Sequence, residues 1–311
     1  MGAGGVVRAG DPRSVAKALS AVERGGREAE ELLRDLRGRV GRARTVGLTG
    51  APGVGKSTLA QSLGLGLLAR GETVAALAVD PSSPFSGGAL LGDRVRMPDL
   101  VVAGGFVRSM ATRGAPGGLA VAASDALDVL DAAGFDWVLL ETVGVGQDEV
   151  DVAGEVETVV VVTVAGLGDD IQAAKAGIME IGDLFVVNKA DRQGVDAQVA
   201  AIEGMLALAP PAEWRPPVIR TTATTGEGVD ELVAALLDHQ RFLDGEGRRE
   251  LARRRRAARR VERVLAGFLR ERMQTSQREA IAEALTAVGS GSLDPYAAAR
   301  RLLERFLKEG A

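Results

Sequence analysis

Cysteine is absent from all 311 residues, and histidine occurs once, at His239. The first absence excludes disulfides and thiolate metal centres. The second leaves nothing from which a multi-histidine metal site could be built. A charge excess is also missing: 38 Lys and Arg stand against 42 Asp and Glu, a net charge of −4, which argues against a nucleic-acid binder. No long apolar run is present. The most apolar stretch, VVVVTVAGLG from Val159, is too short to span a bilayer. The opening MGAGGVVRAG lacks the apolar core of a signal peptide and has no Ser or Thr at its sixth position for myristoylation. These absences describe a soluble chain, and nothing in them argues against the cytoplasm.

What is present falls into three parts. In DPRSVAKALSAVERGG, Asp11 can cap a helix and Pro12 suits its first position; Val15, Leu19 and Val22 recur at helical spacing until Gly25-Gly26. A second helix is expected to carry Leu32, Leu33, Leu36 and Val40, so residues 1–43 read as a helical extension. From Thr45 short apolar runs alternate with helical stretches such as Ser57–Arg70 and Asp169–Ile181. The runs are Thr45–Leu48, Thr73–Val79, Trp137–Leu140, Thr158–Val164, Leu184–Val187 and Val218–Thr221. That order predicts an α/β domain over residues 44–244 with a mostly parallel sheet flanked by helices. Residues 245–311 carry no strand pattern and read as a helical arm. There, Val261, Val264, Leu265, Phe268 and Leu269 share one helical face, Ile281, Leu285 and Val288 mark a short helix, and Asp294-Pro295 opens a last one. The arginine run in this arm is compatible with RNA or lipid binding, but the acidic balance of the chain favours a solvated helix face or a subunit contact. His239 reads as a surface helix residue, and nothing reads as a cobalamin ligand.

The stretch Gly50-Ala51-Pro52-Gly53-Val54-Gly55-Lys56-Ser57 fits G-x-x-x-x-G-K-[ST], follows an apolar strand and opens a helix that continues with Thr58. Glycines let backbone amides face phosphate oxygens, and the helix N-terminus adds partial positive charge. Lys56 can reach the β- and γ-phosphates, and the Ser57 hydroxyl can join a magnesium ion. The glycines do not fit G-x-G-x-x-G, and Ala51 stands where partitioning-type ATPases carry an extra lysine.

Guanine is indicated by FVVNKAD. Asp191 can accept from both N1–H and the exocyclic amine of guanine, a donor pair that adenine lacks. Asn188 can tether neighbouring loops, and Lys189 can lay its stem across the base. Thr222-Ala223-Thr224 stands where guanine-binding proteins offer a backbone amide to the base oxygen.

Asp80, Asp93 and Glu141 each lie at a strand end or in a Gly-rich loop beyond one, where parallel sheets bind ligands. All can converge on hydrated magnesium, although Asp80 and Asp93 suit a cap or turn as well. Glu141-Thr142-Val143-Gly144 imitates a D-x-x-G switch, with the Gly144 amide able to meet the γ-phosphate. Val145 follows where many GTPases place a water-orienting glutamine, and Gln147 is too far along to assume its role. Slow intrinsic hydrolysis, accelerated by a partner, is therefore expected.

Taken together, VDPSSPFSGGALLGDRVRM, RSMATRGAPGGLA, ETVGVGQDEV, AGLGDDIQAAKAGIMEIGDLFVVNKAD and TTGEGVDEL resemble the MeaB/ArgK/MMAA group of GTPases over nearly the whole chain. The resemblance implies a SIMIBI-type P-loop fold. It also implies a homodimer held by the helical arm, with GTP, GDP and Mg²⁺ as ligands. The function it implies is that of a G-protein chaperone for an adenosylcobalamin-dependent acyl-CoA mutase, chiefly methylmalonyl-CoA mutase. It assigns Ser57, Asp80, Asp93 and Glu141 to the magnesium site. Asp169 to Lys175 match a third switch, with Asp169 and Lys175 as candidate catalytic residues; Asp169-Asp170 also suits a helix N-cap. Ala165, Asp148 and Thr222 depart mildly from the family pattern. Competing classes are the older transport-system ATPase or kinase label, which Asn188 and Asp191 disfavour, and a nickel chaperone GTPase, which needs the cysteines and histidines this chain lacks. An arginine-rich RNA-binding GTPase is the third.

Overall fold

The computed structural model describes residues 7–80, 97–111, 118–142, 154–166, 178–276 and 278–309. Helix α1 (Pro12–Arg24) begins where Asp11 accepts from the amides of Arg13 and Ser14, and ends at Gly25, whose φ is 69°. Helix α2 (Gly26–Leu36) is shorter than the sequence pattern suggests. A 3₁₀ turn, Arg37–Arg39, follows it, and Val40 is extended. Gly38 weakens the helix at this point, and the Arg39 guanidinium donates to the carbonyls of Val7 and Ala132 instead of following the helix axis.

Seven strands form one sheet: β1 (Arg44–Thr49), β2 (Val74–Asp80), β3 (Phe106–Ala111), β4 (Trp137–Thr142), β5 (Thr158–Val164), β6 (Leu184–Asn188) and β7 (Val218–Thr221). Their order is β3-β2-β4-β1-β5-β6-β7, and every pairing is parallel. Helices α3 (Lys56–Leu68), α4 (Pro98–Val102), α5 (Gly118–Ala133), α6 (Ile178–Ile181) and α7 (Val195–Leu208) lie between the strands in sequence, and α8 (Val229–Asp244) follows β7. Both faces are covered, which is why the central strands read as unbroken apolar runs. Alternation survives inside them: Val138 and Leu140 of β4 join one core with α1, α2 and α5, while Trp137 and Leu139 join the other with α3, α4 and α8. The strand β3 escapes the sequence pattern. It is an edge strand, half-exposed, and Arg108 and Ser109 interrupt its apolar residues. Arg108 is held by Ser20 and Glu23 of α1.

The chain closes with α9 (Arg248–Ser276), α10 (Arg278–Gly289) and α11 (Pro295–Glu309). The arginine run of α9 is not simply a solvated face. Arg249, Arg253, Arg256, Arg260 and Arg263 point at the α/β body and pair with its carboxylates. No described helix is long and apolar enough to cross a membrane.

His239 is buried, not on a helix surface. Its ring clusters with those of Trp214, tilted at 4.7 Å, and Phe242, stacked at 6.1 Å. Gln240 donates to the Thr158 hydroxyl at 2.9 Å, and that hydroxyl shares a hydrogen bond of 2.8 Å with His239 Nδ1. Nε2, on the other side of the ring, faces Asp183 Oδ1 at 3.5 Å. Burial, reinforced by the charge of Arg249, pushes His239 from its ordinary 6.5 down to about 4. Burial pushes Asp183 from 3.8 up to about 6, against the Val159 amide and the Arg256 charge.

The two groups load stability in opposite directions. The unfolded chain protonates His239 near pH 6.5 and the folded chain only near 4, so this group's contribution is full above 6.5 and is lost as pH falls through 4. The folded chain keeps the Asp183 proton up to about pH 6, so that contribution is full below 3.8 and is lost as pH rises through 6. Relative to the native chain, Asp183→Asn should therefore steepen the rise of stability between pH 4 and 6, and His239→Gln should make stability fall across the same window. Urea denaturation at fixed pH steps measures both.

Candidate functional site

The site forms where β1, β4 and β6 end and the loops beyond them meet. After Thr49 the chain turns through Gly50, at φ 140°, and Gly55, at φ 94°, into α3. A Cβ on Gly50 would lie 2.0 Å from the Val162 carbonyl oxygen, and one on Gly55 would lie 2.5 Å from Asn188 Nδ2. Neither position has room for a side chain, and both have left-handed backbone that disfavours one. Between them Pro52 and Gly53 are exposed at the loop tip, Ala51 is half-buried, and Val54 is buried in the core beneath.

Lys56 is buried, and its ammonium donates to the carbonyls of Gly50 and Ala51. The lysine thus lies inside the curl of its own loop. The Ser57 hydroxyl donates to Glu141 Oε1, and Glu141 is itself buried at the end of β4. Parallel pairing of β1 with β4, in which Leu48 faces Glu141, brings the two together, and Thr142 donates to the Leu48 carbonyl at 3.3 Å. Two hard oxygen donors therefore meet at the mouth of the phosphate loop, a set that suits a magnesium ion. Thr58 lies half-buried one residue further on and accepts from the Ser62 hydroxyl at 3.1 Å.

Asn188 joins this loop to the rest of the site. Its Nδ2 donates to the Val54 carbonyl at 2.8 Å, and its Oδ1 accepts from the Thr221 hydroxyl and the Ala223 amide, both at 3.1 Å. Lys189 adopts φ 57°, in the left-handed region that non-glycine residues rarely occupy, and its ammonium reaches the Gly53 carbonyl at 2.7 Å. Its stem consequently crosses the space between the two loops. Asp191 is exposed beside them. Thr222 and Ala223 are buried and Thr224 is exposed; the Thr222 amide donates to the Glu227 carbonyl at 3.0 Å. The Ala223 amide, a candidate for the base oxygen, is engaged by Asn188 here.

Two contributors carried no signal in the sequence. Ser62 donates to the Ala223 carbonyl at 2.6 Å, which ties α3 to the third loop, and Gln61 exchanges hydrogen bonds with Asp99 at the start of α4. Both are polar residues on a helix whose marked motif ends earlier, and only the fold reveals what they face. Thr221 marks only a strand end in the sequence, yet its hydroxyl donates to Asn188. Asp93, Gly144, Asp169 and Lys175 lie outside the described residues, as does the side chain of Asp80, whose backbone closes β2. Among the described residues no three His, Cys, Asp or Glu side chains gather into a group that could hold a metal.

Residues 15–278 match the model of the family described as methylmalonyl Co-A mutase-associated GTPase MeaB. A putative GTPase of Pyrococcus horikoshii is 45% identical over 308 residues, covering 97% of this chain and 96% of its own. GTPase ArgK of Escherichia coli is 37% identical, over 81% of this chain and 79% of its own. The mitochondrial methylmalonic aciduria type A homolog of Mus musculus is 37% identical, over 84% and 65%. Among solved structures, a LAO/AO transport system kinase shares 28% identity at a TM-score of 0.74, covering 97% of this chain and 95% of its own.

Asn188 and Asp191 should separate sharply in a stability measurement. Asn188→Ala strands the Val54 carbonyl and the Ala223 amide, at about 1–3 kcal/mol each, besides the Thr221 hydroxyl, so unfolding stability without nucleotide should fall by about 2–6 kcal/mol. Asp191→Ala, at an exposed position, should stay within about 0.5 kcal/mol of the native chain. Urea denaturation of both variants checks the contrast.

Proposed function

The chain belongs to the methylmalonyl Co-A mutase-associated GTPase MeaB family, and from that premise we propose that it is a cytoplasmic GTP-hydrolysing chaperone of an adenosylcobalamin-dependent acyl-CoA mutase, methylmalonyl-CoA mutase foremost. In this reading it gates cofactor loading and protects the mutase. The junction at Asn188 supports guanine most directly, because it bonds the phosphate loop and the base-recognition loop through one side chain. A ligand lying across that junction would have phosphates at Gly50–Thr58 and a base at Lys189 and Asp191. The family, named for its association with methylmalonyl Co-A mutase, and the mouse methylmalonic aciduria type A homolog support the mutase as partner.

The chemistry assigned to the chain's own groups is positioning and charge stabilisation. Main-chain amides of the glycine loop bind the phosphates. Lys56 exchanges its loop carbonyls for phosphate oxygens, a short move for a side chain already inside the loop. Ser57 and Glu141 hold magnesium, with Asp80 and Asp93 as further ligands or water-mediated partners. The ion would neutralise phosphate charge when bound. Gly144, Asp169 and Lys175 are assigned to γ-phosphate sensing and catalysis. Asp191 accepts from the guanine edge while Lys189 covers the ring, and Ala223 or Thr224 supplies an amide to the base oxygen. Val145 follows Gly144 where a glutamine would orient water, so turnover by the chain alone is slow.

The decisive assay is GTP turnover with and without purified mutases. Turnover well below the roughly 10 s⁻¹ of stimulated GTPases, raised by one mutase in a nucleotide-dependent complex, is the expected result. Absence of any nucleotide-dependent complex or cofactor transfer would remove the chaperone role. In competition against labelled GTP, ATP should fail with the native chain and gain ground with Asp191→Ala. Effective competition by ATP in the native chain would favour the transport-kinase label that the similar structure bears.

We further propose that residues 1–43 form an extension, 44–244 the GTPase domain and 245–311 an arm through which two copies pair. Support comes from the side of the arm turned away from the body, where Val261, Leu265 and Phe268 are 66%, 57% and 48% exposed. They recur at helical spacing, as a seam awaiting a partner helix does. Leu265→Asp with Phe268→Asp should halve the mass seen by light scattering while leaving GTP binding intact.

A further inference from the structure

Guanine and adenine differ at position 6 of the purine, where one carries an oxygen that accepts and the other an amine that donates. A backbone amide aimed there suits the first and repels the second, provided that it cannot turn. Each peptide group carries its donor and its acceptor on opposite sides. One that was free to flip would offer adenine its carbonyl instead.

The loop after β7 leaves one amide uncommitted. The Thr222 amide donates to the Glu227 carbonyl at 3.0 Å, and the Ala223 amide to Asn188 Oδ1 at 3.1 Å. The Thr225 and Gly226 amides both donate to the Thr222 carbonyl at 3.0 Å. Among the described residues nothing accepts from the Thr224 amide, and Thr224 is exposed.

The acceptor of that same peptide group is held. Ser62 of α3 donates to the Ala223 carbonyl at 2.6 Å. A serine inside a helix ordinarily gives its one proton to the carbonyl four residues back. Here that contact, to Thr58, is 3.1 Å and is the longer of the two. Because the peptide is trans and planar, a carbonyl fastened to α3 sends the Thr224 N–H to the other side, away from the helix. Docking of α3 does not call for this bond: Leu59, Leu63 and Leu67 already share a buried apolar core with Leu232, Val233 and Leu236 of α8. What the serine adds is the orientation of one peptide group.

We propose that Ser62 is a positioning residue for base selectivity: by holding the Ala223 carbonyl it blocks a flip of the peptide between Ala223 and Thr224, and so keeps the Thr224 amide facing the 6-oxygen of guanine. This rests on the guanine reading above and adds to it a device that rejects adenine at position 6. Asp191 reads the N1–H and the exocyclic amine, so the two contributions are separable. The helix that opens at the phosphate loop thereby also aims a donor at the base.

Dissociation constants of the full chain for GTP, ATP and 2-aminopurine riboside triphosphate test it, in the native chain and in Ser62→Ala. The last nucleotide keeps the exocyclic amine of guanine but carries hydrogen in place of the 6-oxygen. Ser62→Ala should weaken GTP about three- to tenfold, as loss of one hydrogen bond does. It should leave the 2-aminopurine nucleotide unchanged and narrow the preference for GTP over ATP. A merely structural bond would lower the affinity of all three nucleotides equally. That result, or an unchanged GTP affinity, overturns the role of Ser62 and leaves the guanine reading standing. A native chain with no preference for GTP over ATP removes the guanine reading, and the inference with it. Should Ser62→Ala fail to fold, Ser62→Cys, whose thiol is a weak donor, carries the same comparison.

Discussion

One carboxamide holds the candidate site in register. Asn188 is buried where β6 ends, and its two polar atoms serve the loop after β1, the end of β7 and the loop after β7. The loop after β1 lies far in sequence from β7 and the loop that follows it. A buried amide can satisfy such partners only in one relative arrangement, since each lost bond costs a desolvation penalty. The glycine at position 55 follows from the same constraint, because Asn188 occupies the volume that a Cβ would need. The left-handed backbone at Lys189 belongs with it: turning the chain immediately after Asn188 sends the lysine back over Gly53.

The sheet supplies the rigid floor for that arrangement. Parallel pairing brings the carboxyl ends of β1, β4 and β6 to one edge of the molecule, so Ser57, Glu141 and Asn188 gather without a long loop between them. The opposite end holds a different polar assembly, in which Thr158, His239, Asp183 and the arginines of α9 meet. One end of the sheet is suited to exchange of a charged ligand. The other is closed by groups whose partners all come from the chain.

The sequence was most legible where chemistry is local. Gly50 to Ser57 and Asn188 to Asp191 are short, their spacing is set by backbone geometry, and their strand contexts are apolar enough to read. Strands buried on both faces, such as β4 and β5, showed their extent for the same reason. Legibility failed where meaning depends on a distant partner. His239 is polar and sits on an amphipathic helix, so nothing nearby in sequence marks it as buried; Trp214 and Thr158 do that from elsewhere. The arginine run looked solvated because its carboxylates lie about a hundred residues upstream. The strand β3 was hidden by its edge position, where Arg108 and Ser109 can be accommodated. Ser62 carries no motif at all, and only the approach of Ala223 gives its hydroxyl a role.

The arginine seam also bears on how the chain can be cut. Glu155 and Glu157 are enclosed in the body but neutralised from α9, which is synthesised much later. A fragment ending before Arg248 would lose the arginines that pair with both carboxylates. The helical arm is an addition in sequence, yet it carries charge partners for carboxylates that belong to the α/β body.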